Sequence, residues 1–94
     1  MSNVIAFPIV SRRVLNALAA LPDDAAPETW PRDELGDIGV MAAALVTDRL
    51  DALPADAGHP GVVWKRLPRE LQALVETRNP GMARACRADA ERQR

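Results

Sequence analysis

Few residues in this chain are of types that do chemistry, and their spacing decides what they can do. Asp48 and Asp51 stand three apart in VTDRLD (46–51), which on a helix would set two carboxylates on one face. Such a pair serves as acid and base only when burial or a neighbour raises one pKa, and nothing in the flanking sequence supplies that. The pair is expected on a solvated helix face. His59 is the sole histidine, in the turn-rich stretch PADAGHPG (54–61), with no serine or cysteine nucleophile beside it. It reads as a solvated loop residue. Cys86 is the sole cysteine, so it forms no internal disulfide and builds no thiolate metal site. The two serines, Ser2 and Ser11, lie near the start, and there is no glycine-rich phosphate loop or nucleophile elbow. The expectation is a protein without catalytic residues, metal or cofactor.

Binding remains, and it depends on the elements that carry the side chains. The stretch Leu35 to Leu53 (LGDIGVMAAALVTDRLDAL) has the clearest apolar stripe. At 100° per residue Leu35, Ile38, Gly39, Ala42, Ala43, Leu45, Val46, Leu50 and Leu53 fall within an arc of about 160°, with Asp37, Asp48 and Asp51 pointing away. Pro31, Asp33 and Glu34 suit the first turn of this helix and Pro54 stops it. Gly36, Gly39 and Ala43 remove bulk along one edge, which would let another helix or a second copy approach, and the helix is expected to break or kink near Gly39. Arg49 lands inside the apolar arc, where it needs an internal acid, a path to water or a partner.

Other elements follow in order. Ser11 is the N-cap of a helix over Arg12 to Leu21, with Val14, Leu15, Leu18 and Leu21 on one face. Pro22 to Pro31 is a proline-rich, acidic surface loop, and its Trp30 either folds back on the core as a lid or anchors a partner. Val62 to Arg66 forms a short helical turn placing Trp64 on the core, or Trp64 is a second anchor. Pro68 opens a helix whose apolar face is Leu67, Leu71, Leu74 and Val75, with Arg78 near its end. Asn79 and Pro80 cap and restart the chain into Met82 to Arg92, where Met82, Cys86 and Ala90 form a thin strip. The spacing therefore predicts an all-α fold, a small bundle of about four helices over residues 11–94, preceded by an extended N-terminal arm over residues 1–10.

Composition agrees with that class. Apolar residues make up 48% of the 94 but aromatics only 3%, so the core must be built from Ala, Leu and Val on closely spaced helices. Formal net charge is −1, unevenly distributed: +2 over Met1 to Pro22, −7 over Asp23 to Asp56 and +4 over Ala57 to Arg94. The acidic and basic segments either pack together and neutralise or leave a charged face for a partner. The apolar runs are too short for a membrane span and no signal peptide is visible, so a cytoplasmic protein is expected.

The opening NVIAFPIV (3–10), followed by Arg12 and Arg13, resembles the openings of short proteins from phages and related mobile elements. That resemblance covers about ten residues and implies an origin rather than a chemistry. Two functions follow from the whole. The first is a non-enzymatic protein-interaction module, an adaptor or an inhibitor such as an anti-CRISPR, meeting a larger protein or a second copy through Asp37, Asp48, Asp51, Arg49, Trp30 and Trp64. The second is nucleic-acid binding through Lys65, Arg66, Arg69, Arg84 and Arg87. Against the second, the last helix opens with Pro80, Gly81, Met82 and Ala83, which carry no base-reading donors.

Overall fold

The computed structural model describes residues 10–92; most of the expected N-terminal arm lies outside them. The described residues form five α-helices and no strand: α1 (Arg12–Ala20), α2 (Arg32–Val46), α3 (Pro60–Arg66), α4 (Arg69–Arg78) and α5 (Pro80–Arg92), with 3-10 turns at Pro27–Thr29 and Leu50–Ala52. The all-α expectation holds, with five helices in place of about four. The turn expected around Trp64 is α3, a helix of seven residues.

α2 is the centre of the fold. It runs side by side with α1 in the same direction: Arg13 and Glu34 meet at 3.5 Å near their starts, and their last carbonyls converge on Arg78 and Asn79. Ser11 caps α1 as its type predicts, accepting a bond from the Val14 amide (3.2 Å). From Gly39 to Val46 every residue of α2 is buried, as is the cap Thr47. The sequence reading assigned burial to one arc only, yet Val40, Met41 and Ala44 are buried too, because α1, α4, α5 and the turn after α2 surround the helix. Short alanine side chains allow that close approach from several sides.

Two expectations about this helix are corrected. The kink falls at Gly36, whose φ of +66° and ψ of −173° interrupt the helix after one turn, while the chain is regular through Gly39. The helix also stops at Val46, short of Leu53. Asp48 adopts φ +59°, and its amide and that of Arg49 turn back to the carbonyls of Leu45 (3.3 Å) and Ala44 (2.8 Å). That pair of bonds is a Schellman ending with Asp48 in the left-handed position usually given to Gly or Asn. The apolar periodicity that continues past it, through Leu50 and Leu53, belongs to a 3-10 turn and its cap.

The C-terminal ends of α1 and α2 are closed by two consecutive residues at the α4–α5 corner. Arg78 donates through Nη1 to the Leu18 carbonyl (2.6 Å) and through Nη2 to the Leu21 carbonyl (2.5 Å), and it pairs with Asp23 at 2.6 Å. Asn79 donates through Nδ2 to the carbonyls of Leu45 (3.0 Å) and Val46 (3.3 Å), while its Oδ1 accepts from Met82 N at the start of α5 (3.3 Å). The last carbonyls of a helix have no partner within it and carry its negative dipole end, so a cation and an amide there satisfy both needs.

α3 is fixed to α5 by a different device. Asp89, on α5 and 8% exposed, accepts from Gly61 N through Oδ2 (2.8 Å), and Arg92 approaches its Oδ1 at 3.2 Å. A Cβ added at Gly61 would lie 2.3 Å from the backbone nitrogen of Ala90, so only glycine admits this helix crossing. A Cβ at Gly39 would meet the Leu35 Cβ at 2.8 Å and Val14 of α1 at 3.3 Å. The strip on α5 is wider than its sequence suggests, since Ala83 and Asp89 are buried with Met82 and Cys86.

Candidate interaction surface

The residues singled out in the sequence separate into buried and exposed sets. Trp30 and Trp64 are 5% and 6% exposed, so neither is available as a surface anchor in this fold. Trp30 closes the loop before α2 over the core, its Nε1 donating to the Ala25 carbonyl (3.2 Å), with the Arg32 guanidinium 5.7 Å from the ring centroid. Trp64 lies between α3 and α5 under Arg87, at the same 5.7 Å. The small-residue edge is likewise consumed within the chain: Gly39 and Ala43 are buried and Gly36 sits at the exposed kink. A second copy cannot use that edge while α1 occupies it.

Arg49 also changes place. It is outside the apolar arc because α2 ends before it, and it bonds Asp51 through Nε and Nη2, both at 3.0 Å. The hydrogen bond and charge of each partner hold the Asp51 carboxyl below its usual range and the guanidinium above its own. Asp48 and Asp51 are therefore not neighbours on a helix face. They flank Leu50 in the loop that follows α2. Leu50, 38% exposed, stands out among the described residues as an exposed large apolar side chain. Leu50 is thus presented next to the Arg49–Asp51 ion pair, with the exposed Asp48 at the turn before them.

Asp37 lies apart from this knob. With Asp56, Met41, Pro54, Ala57 and Arg66 it lines a small cleft of about 230 Å³. Of the other basic candidates, Arg87 pairs with Glu76 while covering Trp64. Lys65, Arg69 and Arg84 are exposed and form no ion pair among the described residues. The acidic middle and the basic end of the sequence meet at Arg78 with Asp23.

Cys86 is buried, and burial with the nearby Asp89 charge pushes its thiol up to about 11. A thiol so protonated at neutral pH is a poor nucleophile and a core residue. His59 is exposed at the start of α3. Asp89 is the ionisable residue that sequence reasoning missed: the Gly61 amide, then the charges of His59 and Arg92, hold its carboxyl below the usual range. Its signal in the sequence was slight, an acid one step from Ala90 on an otherwise apolar strip. Among the described residues no group of three or more His, Cys, Asp or Glu is placed to hold a metal ion. None of the helices they form is long and apolar enough to cross a membrane.

These residues define an all-α domain whose loop after α2 exposes Leu50 and Asp48 beside the Arg49–Asp51 ion pair. No protein-family model, curated protein or solved structure matches the chain.

Proposed function

We propose that the chain is a non-enzymatic protein-interaction module that contacts a larger protein or complex through the loop Asp48 to Asp51. The observation that carries this reading is Leu50, exposed beside the Arg49–Asp51 ion pair on a turn that Asp48 holds at positive φ. Leu50 offers a partner an apolar contact, and the exposed Asp48 carboxylate nearby favours a partner whose apolar pocket has a basic rim. Loops on a rigid scaffold commonly carry recognition, and α2, buried from Gly39 onward, is a rigid base for this one. An adaptor or an inhibitor fits such a contact. Within that class, an anti-defence protein of phage or mobile-element origin, an anti-CRISPR for example, accords with the small size and the opening stretch, and would act in the cytoplasm.

The competing reading uses the exposed cations Lys65, Arg69 and Arg84 on nucleic acid. Phosphate contacts weaken steeply with salt, so the two readings separate in a gel shift with duplex and single-stranded DNA and RNA at low and moderate salt. The protein reading expects no shift at low salt and capture of a protein that Leu50→Ser abolishes. A salt-sensitive shift lost in Lys65→Glu with Arg69→Glu would replace it.

A further inference from the structure

The chain just past α2 carries two incompatible instructions. At 100° per residue Leu50 and Leu53 continue the arc that holds Ile38, Leu45 and Val46, and no proline intervenes before Pro54, so the side chains over residues 47–53 are spaced for further helix. The backbone leaves that course at one residue, Asp48, whose φ of +59° is costly for any residue but Gly and least so for Asn and Asp. We propose, resting on the reading of this loop as the contact, that residues 47–53 are a two-state element: the turn is its free form, and a partner with an apolar pocket and a basic rim selects the form in which α2 runs on to Leu53.

Three devices hold the turn. Asn79 donates through Nδ2 to the carbonyls of Leu45 and Val46, which in a longer helix would accept from the amides of Arg49 and Leu50. Arg49 pairs with Asp51 two residues on, a contact that a helix would separate, but both side chains are exposed and such a pair is weak. Ala52 and Leu53 pack partly against the core. Against these stand the left-handed backbone at Asp48 and a 3-10 turn at Leu50–Ala52, whose bonds are poorer than those of an α-helix. Charge opposes the helix in the free chain, since Asp48 and Asp51 would lie at its negative dipole end. A basic rim removes that opposition. The helix in turn would set Leu50 and Leu53 three apart on one face, the spacing with which a helix enters an apolar groove. Such a partner binds one state better than the other, which is what shifts a population.

The test compares two full-length double variants, Asp48→Ala with Asp51→Ala and Asp48→Gly with Asp51→Ala. Both lose the same two carboxylates and the Arg49 pair, and they differ by one methyl group, which penalises the left-handed turn and favours helix by roughly 30-fold in the ratio of the two states. The alanine form should show NMR cross-peaks from the α-proton of Val46 to the Leu50 amide and from Thr47 to residue 51, an i,i+4 pattern specific to α-helix, and the glycine form should lack them. From a bacterial lysate, the alanine form should also retain more of whatever protein the natural chain captures and Leu50→Ser loses. Absence of those cross-peaks in the alanine form, or equal capture by both double variants, would overturn the two-state element while leaving Leu50 as the contact. Capture by the natural chain that Leu50→Ser leaves intact would overturn the contact itself, and the role given to the helix with it.

Discussion

The corner at Arg78 and Asn79 and the loop from Asp48 to Asp51 are both polar and both lie just past a helix end, yet they treat their polar groups in opposite ways. At the corner each donor reaches across the fold: Arg78 to carbonyls 57 and 60 residues away, Asn79 to carbonyls 33 and 34 residues away. In the loop the bonds are local, Arg49 to Asp51 and the turn amides to the last carbonyls of α2. The corner's hydrogen bonds therefore depend on tertiary structure and support it. The loop's bonds shape a turn and pair Arg49 with Asp51, while Asp48 and Leu50 stay exposed.

This difference is strongest, and easiest to break, at Arg78. Arg78→Met leaves the Leu18 and Leu21 carbonyls without their donor while keeping an apolar stem, and should cost about 3 kcal/mol. For a domain of this size that is a fall of roughly 12 to 24 °C in Tm, read by circular dichroism. Gly61→Ala tests the other long-range contact. Its Cβ meets backbone atoms of Ala90, which cannot rotate away, so α3 must lift from α5 at a cost of about 2 to 3 kcal/mol in urea unfolding.

Acid sharpens the comparison further. The folded-state pKa of Asp89 lies below its unfolded value, so its contribution is fully present above the ordinary aspartate range and is lost as pH falls through the folded value. Asp89→Asn keeps an acceptor for Gly61 and removes the charge. It should lower stability at neutral pH and flatten the decline below about pH 4, measured as Tm against pH. The smallest effect is expected in the loop. Asp48→Asn with Asp51→Asn should leave Tm nearly unchanged, because both side chains are exposed and Asn tolerates the positive φ at position 48. Asn is a better probe there than lysine, which would add backbone strain to the loss of charge.

The parts of this fold that were legible in the sequence rest on local chemistry. Ser11 reads as a cap, Asn79 with Pro80 as a restart, and Trp30 folding back follows from its place before a helix. The parts that were not legible rest on contacts between distant residues or on an unusual local choice. Asp48 ends α2 in a conformation normally flagged by Gly, so the apolar rhythm through Leu50 and Leu53 reads falsely as more helix. Arg78 was visible as a cation near its own helix end, but its targets are on α1. Asp89 drew no reading from the sequence because its partner Gly61 is 28 residues earlier and gives no sign of the helix it admits. For the candidate site, the acidic residues were legible and their arrangement was not, since Arg49 and Leu50 change surroundings once the helix stops at Val46.

The most direct test of the interaction account is a tagged pull-down from a bacterial lysate, nuclease-treated, comparing the natural chain with Asp48→Asn and Asp51→Asn combined with Leu50→Ser, alongside the Tm of each. The account predicts a stoichiometric protein held by the natural chain and lost by the triple variant at nearly equal Tm. Undiminished capture by the triple variant, or capture that nuclease abolishes, would contradict it.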